Sequence, residues 1–313
     1  MTDGYGRKIE YLRMSVTDAC NLRCVYCMPP DGMAECPCHS AMSADEFVEI
    51  ARAAAELGMK KLRITGGEPL VRSDIVPLVR ALGEIPGIED MSLTTNATLL
   101  ASIAKELYEA GIHRINISLD TLDAEKYAKI TRGGKLSDAF DGIRAAFEAG
   151  MSPVKLNTVL IGGFNDDEIA SLAELTLHYP VQFRFIELMP IGDTKGEFAA
   201  SAFLPDSAVL ERLPQLRAVP SEKHTVARLY KLPGAKGEVG LISPLSNHFC
   251  SECNRGCLKP CLHSAEELPV RGLHGQELKD AIISAVSHKP EKHVALSATE
   301  RSEAKRSMYR IGG

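Results

Sequence analysis

The stretch VTDACNLRCVYCMP, residues 16–29, and the stretch KLRITGGEP, residues 61–69, decide how this chain is read. The first places thiols at Cys20, Cys24 and Cys27 directly after a strand candidate, YLRMSVTD at 11–18. Three close thiolates can hold three irons of a cubane cluster and leave the fourth iron open to a ligand. The same trio also suits a structural zinc ion, which takes four protein ligands. Cys36, Cys38 and His39 follow within reach to supply the fourth, so both metals stay open on spacing alone. The second stretch ends a strand candidate with Gly66 and Gly67, followed by Glu68 and Pro69. Two glycines there expose backbone N–H and C=O groups and permit close approach of a ligand.

Outward from these stretches, strand and helix signals alternate. Further strand candidates are MSLTTN (91–96), RINISLD (114–120), VKLNTVLI (154–161) and VQFRFIEL (181–188), all short and rich in β-branched residues. In SADEFVEIARAAAELGM, Phe47, Ile50, Ala51, Ala54 and Leu57 recur at helical spacing. Ser43 reads as its N-cap with Glu46 three residues later, and Gly58 as its stop. Similar helices are expected to end at Gly111 and Gly150.

Six strand-then-helix units predict a parallel α/β fold, either doubly wound or an incomplete TIM-type barrel. The strands carry polar residues at alternate positions: Arg13, Ser15 and Thr17; Arg63 and Thr65; Asn116, Ser118 and Asp120; Lys155 and Asn157. A doubly wound sheet is buried on both faces and reads as continuous apolar runs, whereas an open barrel tolerates one polar, cavity-lining face. The expectation is therefore an incomplete TIM-type (β/α)6 barrel with chemistry at the C-terminal strand ends. Solvated sheet edges are the plainer account of the same polar residues. The pattern loosens after about residue 195, and a boundary is drawn between a partial barrel at 1–219 and a C-terminal appendage at 220–313.

A chain of 313 residues with 45% hydrophobic content buries a large core. The net charge of -5, the absence of Trp and an aromatic content of 5% argue against a nucleic-acid interface. No apolar signal core opens the chain and no stretch is long enough to span a bilayer, so a cytoplasmic protein without membrane contact is expected. In that reducing compartment the nine cysteines read as metal ligands or reactive thiols rather than disulfides. They fall at the two ends: five from Cys20 to Cys38, and Cys250, Cys253, Cys257 and Cys261.

The cysteine spacing with GGEP one strand later is the pattern of radical S-adenosylmethionine (SAM) enzymes, and the chain resembles that family. Within it, the resemblance is to the GTP 3',8-cyclase family of molybdenum cofactor biosynthesis. It runs through DGYGRKIEYLRMSVTDAC, LRITGGEPLVR, LTTNATLL, INISLDTLD, VKLNTVLIGGFNDDEI, RFIELMPIG, FCSECNR and the closing IGG.

The resemblance implies a 4Fe-4S cluster on Cys20, Cys24 and Cys27 whose open iron binds SAM, with Tyr26, Gly66, Gly67, Glu68, Ser118 and Met189 contacting that cofactor. It implies GTP contacts from Arg13, Arg63, Thr94, Lys155, Arg184, Asn254 and Arg255. A second 4Fe-4S cluster is implied on Cys250, Cys253 and Cys261, its open iron facing the guanine base. The implied product is (8S)-3',8-cyclo-7,8-dihydro-GTP. The implied partners are an electron donor such as flavodoxin or ferredoxin and the next-step cyclic pyranopterin monophosphate synthase; a homodimer is left open. Independently, Arg13, Arg63, Lys155 and Arg184 come from four strand candidates and share one phase, as cations that converge on a triphosphate must. Taken singly, each is an ordinary surface charge.

The chain departs from the family at the second cysteine set. CNRGCLKPC is shorter than the family's stretch, and Cys257 stands where a second arginine is expected. A fourth thiol there can close the site as a four-thiolate cluster or a zinc knot. Ala19 replaces a usual Arg, and Ala97 replaces the Gly that usually follows TTN; Gly312 and Gly313 match the family's tail. Two competing readings are a radical SAM peptide-modifying enzyme with a C-terminal auxiliary cluster and a zinc-stapled, non-catalytic module.

Overall fold

The β-branched stretches form a run of parallel strands in chain order: β1 (Tyr11–Ser15), β2 (Lys61–Thr65), β3 (Asp90–Thr95), β4 (Arg114–Ser118), β5 (Val154–Leu160) and β6 (Val181–Glu187). The computed structural model describes residues 1–31, 42–189, 202–220, 226–247, 254–257, 270–289 and 291. Helices α1 (Ala44–Glu56), α2 (Ile75–Gly83), α3 (Ala104–Glu109), α4 (Ala124–Thr131), α5 (Leu136–Glu148) and α6 (Ile169–His178) connect these strands, with α4 and α5 both between β4 and β5. Parallel neighbours need such crossovers.

Local chemistry sets the ends of α1. The Ser43 side chain accepts from the Glu46 N–H at 3.2 Å, and the Glu46 carboxylate accepts from the Ser43 N–H at 2.7 Å, which completes a capping box. Phe47, Ile50, Ala51 and Ala54 are buried as the periodicity predicts. Gly58, past the last turn, has φ 91°, a conformation that suits a residue without Cβ.

The sheet is longer than the six expected strands. β9 (Glu238–Ile242) pairs parallel with β6, β8 (Arg228–Lys231) pairs antiparallel with β9, and β7 (Arg217–Ala218) antiparallel with β8. At the other edge β10 (Arg255–Cys257) lies parallel to β1. The order is β10-β1-β2-β3-β4-β5-β6-β9-β8-β7, and among the described residues the two ends do not pair, so the barrel is incomplete.

Alternation explains the two faces. Leu12, Met14, Leu62, Ile64, Leu93, Ile115, Ile117, Leu156, Phe183 and Phe185 are buried in one apolar core. Residues of the opposite phase are Arg13, Arg63, Thr94, Asn116 and Lys155, one pleat away in each strand. Two buried carboxylates fasten the later chain to β6. Glu187 accepts from the N–H groups of Asp206, Leu245 and Ser246 and from the Ser246 hydroxyl, while Asp206 accepts from Arg228 and Ser243. The last described helices are α7 (Ser207–Arg212) and α8 (Gly275–Ser287); α8 packs against α1 through buried Leu278, Ile282 and Val286. No described helix is long and apolar enough to cross a membrane.

Candidate functional site

The cysteine loop is anchored on two sides by main-chain bonds. On one side, the N–H groups of Arg23 and Val25 donate to Thr131 O (3.0 Å) and Ile130 O (2.9 Å) at the end of α4. The Arg132 guanidinium donates to Arg23 O (3.0 Å) and Met28 O (2.7 Å). Within the loop, the N–H groups of Cys27 and Met28 donate to Cys24 O at 2.9 and 3.0 Å.

On the other side stands the glycine pair. Gly67 N–H donates to Thr17 O and Glu68 N–H to Ala19 O, both at 2.8 Å. A Cβ at Gly67 would sit 2.4 Å from Ala19 O, and one at Gly66 2.5 Å from Thr17 O, so the two motifs can touch only because neither residue has a side chain. The sequence suggested that the two glycines expose N–H and C=O groups to a ligand; the amides of Gly67 and Glu68 are used to hold the cysteine loop. Arg72 braces the same base, donating to Val16 O (2.8 Å) and Met42 O (3.1 Å) while its fork grips Asp74.

Glu68 is a buried carboxylate with its acceptors in use. It takes the Leu70 N–H (3.0 Å), the Thr95 hydroxyl (2.7 Å) and the Asn96 N–H (2.7 Å). Burial pushes its pKa up to about 7, against which these three donors work. Asp120, just beyond β4, accepts from the Tyr26 hydroxyl (2.7 Å) and the Val159 N–H (2.8 Å), and burial pushes it up to about 6. Tyr26 thus links the cysteine loop to β4 and β5. Neither Asn96 nor Asp120 was singled out from the sequence as a site residue. The usable signal was their place at the C-terminal ends of β3 and β4, where parallel α/β sheets put their sites.

Burial raises the Cys20 thiol and raises the Cys24 thiol further, and Cys20 and Cys27 act electrostatically on Cys24, so the three sulfurs share one space. A bound cationic centre reverses such a shift by favouring thiolate. Among the described residues, no three His, Cys, Asp or Glu side chains converge on a point suited to a single ion. A cubane takes its thiolates at separate irons and does not require that convergence, so the trio fits a cluster. Cys36, Cys38 and His39 lie outside the described residues.

The inner face of the sheet runs alongside. Register places Arg13, Arg63 and Ser92 at one level, Thr94, Asn116 and Lys155 at the next, and Ser118, Asn157 and Arg184 above them. Four buried polar atoms here, Ser15 Oγ, Thr94 Oγ1, Asn116 Oδ1 and Asn157 Oδ1, have no hydrogen-bond partner among the described residues. Arg63 lies over the Tyr11 ring, 5.3 Å from its centroid. Arg184 Nε donates to Gln182 Oε1 (2.6 Å), and Gln182 donates to Glu238 (3.0 Å). Gly240 leaves the room: a Cβ there would meet Arg184 Cγ at 3.0 Å.

Met189 follows β6 and is half-buried. Asn254 O accepts the Glu10 N–H at 3.3 Å, and Arg255 and Cys257 pair in register with Tyr11 and Arg13. Cys250, Cys253 and Cys261, with Gly312 and Gly313, lie outside the described residues.

The chain matches the model of the Radical SAM superfamily over residues 14–176 and that of Molybdenum Cofactor Synthesis C over residues 181–295. It is 44% identical to a GTP 3',8-cyclase of Alkaliphilus oremlandii, the match covering 100% of both chains. It is 46% identical to those of Peptoclostridium acidaminophilum (100% of this chain and 98% of the relative) and Pelotomaculum thermopropionicum (100% of both). Among solved structures, anSMEcpe with bound AdoMet aligns with a TM-score of 0.51 at 16% identity, covering 66% of this chain and 57% of its own. HydG, a maturase of the FeFe hydrogenase, aligns with a TM-score of 0.51 at 17% identity, covering 66% and 48%. These two structures share the partial barrel. The chain belongs to the GTP 3',8-cyclase family of the radical SAM superfamily.

Proposed function

We propose that this protein is a radical SAM lyase that converts GTP to (8S)-3',8-cyclo-7,8-dihydro-GTP in molybdenum cofactor biosynthesis. The observation that carries the reading is end-to-end likeness, at 44 to 46% identity, to proteins named for that reaction. A peptide-modifying enzyme or a zinc-stapled module would not be expected to keep that likeness through both halves of the chain. The cofactors are SAM and two 4Fe-4S clusters. Once bound, the N-terminal cluster and SAM supply a hydrogen-abstracting carbon radical, which is chemistry no side chain offers.

The chain's own residues bind and orient. In this reading Cys20, Cys24 and Cys27 hold the first cluster, and Tyr26, Gly66, Gly67, Ser118 and Met189 form the SAM bed. Glu68 serves that bed through the loop it ties down, since its carboxylate already accepts from three protein donors. Arg13, Arg63, Lys155 and Arg184, on the inner phase of four strands, hold the triphosphate. Thr94 supplies one of the unmatched polar atoms of that wall for GTP.

The region 220–313 supplies the second cluster through Cys250, Cys253 and Cys261, with Asn254 and Arg255 toward the base. Orientation of ribose C3' is the main contribution asked of the protein, because positioned reactants react as if at very high concentration. Flavodoxin or ferredoxin as donor, cyclic pyranopterin monophosphate synthase as next enzyme and a cytoplasmic setting complete the proposal.

The test is anaerobic incubation of the cluster-loaded protein with GTP, SAM and dithionite. An isomer of GTP should form together with 5'-deoxyadenosine, and neither should form in Cys24→Ala. Deoxyadenosine without any guanine-derived product would overturn the substrate. Absence of both from iron-replete protein would overturn the reaction class.

A further inference from the structure

Asn96, at the end of β3, has a side chain whose orientation its neighbours fix. Asn96 Oδ1 accepts the Thr98 backbone N–H at 3.0 Å and the Thr98 hydroxyl at 2.7 Å. A backbone N–H can only donate, so the atom it meets is the carbonyl oxygen and the other end of the amide is the NH2. That NH2 stands 2.9 Å from Asn21 Oδ1 and 4.0 Å from Cys20 Sγ, the latter within reach of a sulfur acceptor. It has two hydrogens for two acceptors.

The surroundings keep it there. The Asn96 N–H is tied to the buried Glu68 carboxylate, and Asn21 Nδ2 donates to the Thr98 hydroxyl at 2.8 Å. Cys20 Sγ already takes the Leu22 N–H at 3.4 Å. Donors aimed at a cluster's sulfur ligands withdraw charge from the irons and favour the reduced state.

We propose that Asn96 is a positioning residue of the N-terminal cluster, its carboxamide NH2 donating to the Cys20 sulfur and so raising the cluster's reduction potential. The inference rests on the reading of Cys20 as an iron ligand.

Wild type, Asn96→Asp, Asn96→Ala and Thr98→Val, each loaded anaerobically, are titrated with reductant while the EPR signal that SAM alters is followed. Asn96→Asp keeps the oxygen that Thr98 contacts and exchanges only the NH2, so it should lower the potential most. Asn96→Ala should lower it less, and Thr98→Val, which loosens the grip on Asn96, least. Potentials equal to wild type in Asn96→Asp and Asn96→Ala at full iron content would overturn the proposal. If neither Asn96 variant loads, Thr98→Val decides: a lowered potential supports it and an unchanged one overturns it. Cys20→Ala separates the two layers, because a SAM-sensitive signal that survives there removes Cys20 as a ligand, whatever the potentials of the other variants.

Discussion

The cysteine loop and the inner wall of the sheet begin on the same strand and are built on opposite terms. In the loop, the carbonyls of Thr17, Ala19, Cys20, Arg23, Cys24 and Met28 all accept protein donors, and Glu68 and Asp120 beside it accept three and two. On the wall, Ser15, Thr94, Asn116 and Asn157 each keep a buried atom without a partner among the described residues. A satisfied cradle is fixed before anything binds, which is what a rigid ligand set requires. Each unmatched buried atom costs about 1–3 kcal/mol, and a polar ligand that meets it offsets that cost. The cradle therefore serves geometry and the wall serves recognition.

The largest expected effect tests how completely the cradle is satisfied. Asp120 is an acid whose folded pKa, about 6, lies above its ordinary 3.8 because burial disfavours the charge. A raised acid favours folding most below its unfolded pKa, and that contribution is lost as pH rises through the folded value. Asp120→Asn keeps an oxygen for the Val159 N–H and presents an NH2 to the Tyr26 oxygen, without a charge to bury. Wild type should therefore lose on the order of 2–3 kcal/mol relative to the variant between about pH 4 and 7, levelling off above that window. Urea unfolding of the cluster-free proteins across the window measures it. Parallel pH curves would mean that the carboxylate is better solvated than its burial suggests.

What the sequence could reveal follows the range of the interactions. The six central strands and the ends of α1 were legible because their causes are local: alternation within a strand, and Ser43 and Glu46 three residues apart. The inner phase of Arg13, Arg63, Lys155 and Arg184 was legible for the same reason. The close contact of Gly67 with Ala19 was not, since it joins loops that one strand and one helix separate. The partners of Glu68 were not legible either: Thr95 and Asn96 come from the end of the next strand, and only the family resemblance marked Glu68 at all. β8 and β9 lie where the sequence pattern loosens because each is brief, and their place in the sheet depends on β9 pairing with β6 and β8 with β9.

A smaller effect should separate recognition from stability. Thr94→Val removes one unmatched hydroxyl from the wall and keeps the shape of the side chain. If Thr94 meets GTP, kcat/KM should fall about tenfold, equivalent to roughly 1.4 kcal/mol, while the Tm holds or rises. The corresponding loss in the cradle, Thr95→Val, breaks a 2.7 Å bond to Glu68 and should lower the Tm instead. Steady-state kinetics with GTP and a thermal melt on the same preparations decide it. A melt lowered by Thr94→Val, with unchanged kinetics, would show that the wall is structural.

The smallest effect concerns the departure at Ala97, which lies between the two regions. Its φ of 64° is left-handed, a conformation costing an L-residue about 1–2 kcal/mol, and the residue is fully buried. Ala97→Gly relieves that strain. It also removes a buried methyl worth about 0.8 kcal/mol and adds chain entropy to the unfolded state worth about 0.5–1 kcal/mol. These terms nearly cancel, so the Tm should move by no more than a few degrees. The backbone here is held from outside: α5 approaches so closely that a Cβ on Gly142 would lie 2.1 Å from Ala97 O. A rise well beyond a few degrees would mean that the left-handed turn is strained by the alanine. A comparable fall would mean that the methyl, packed against α5, is what sets the turn carrying Asn96 toward Cys20.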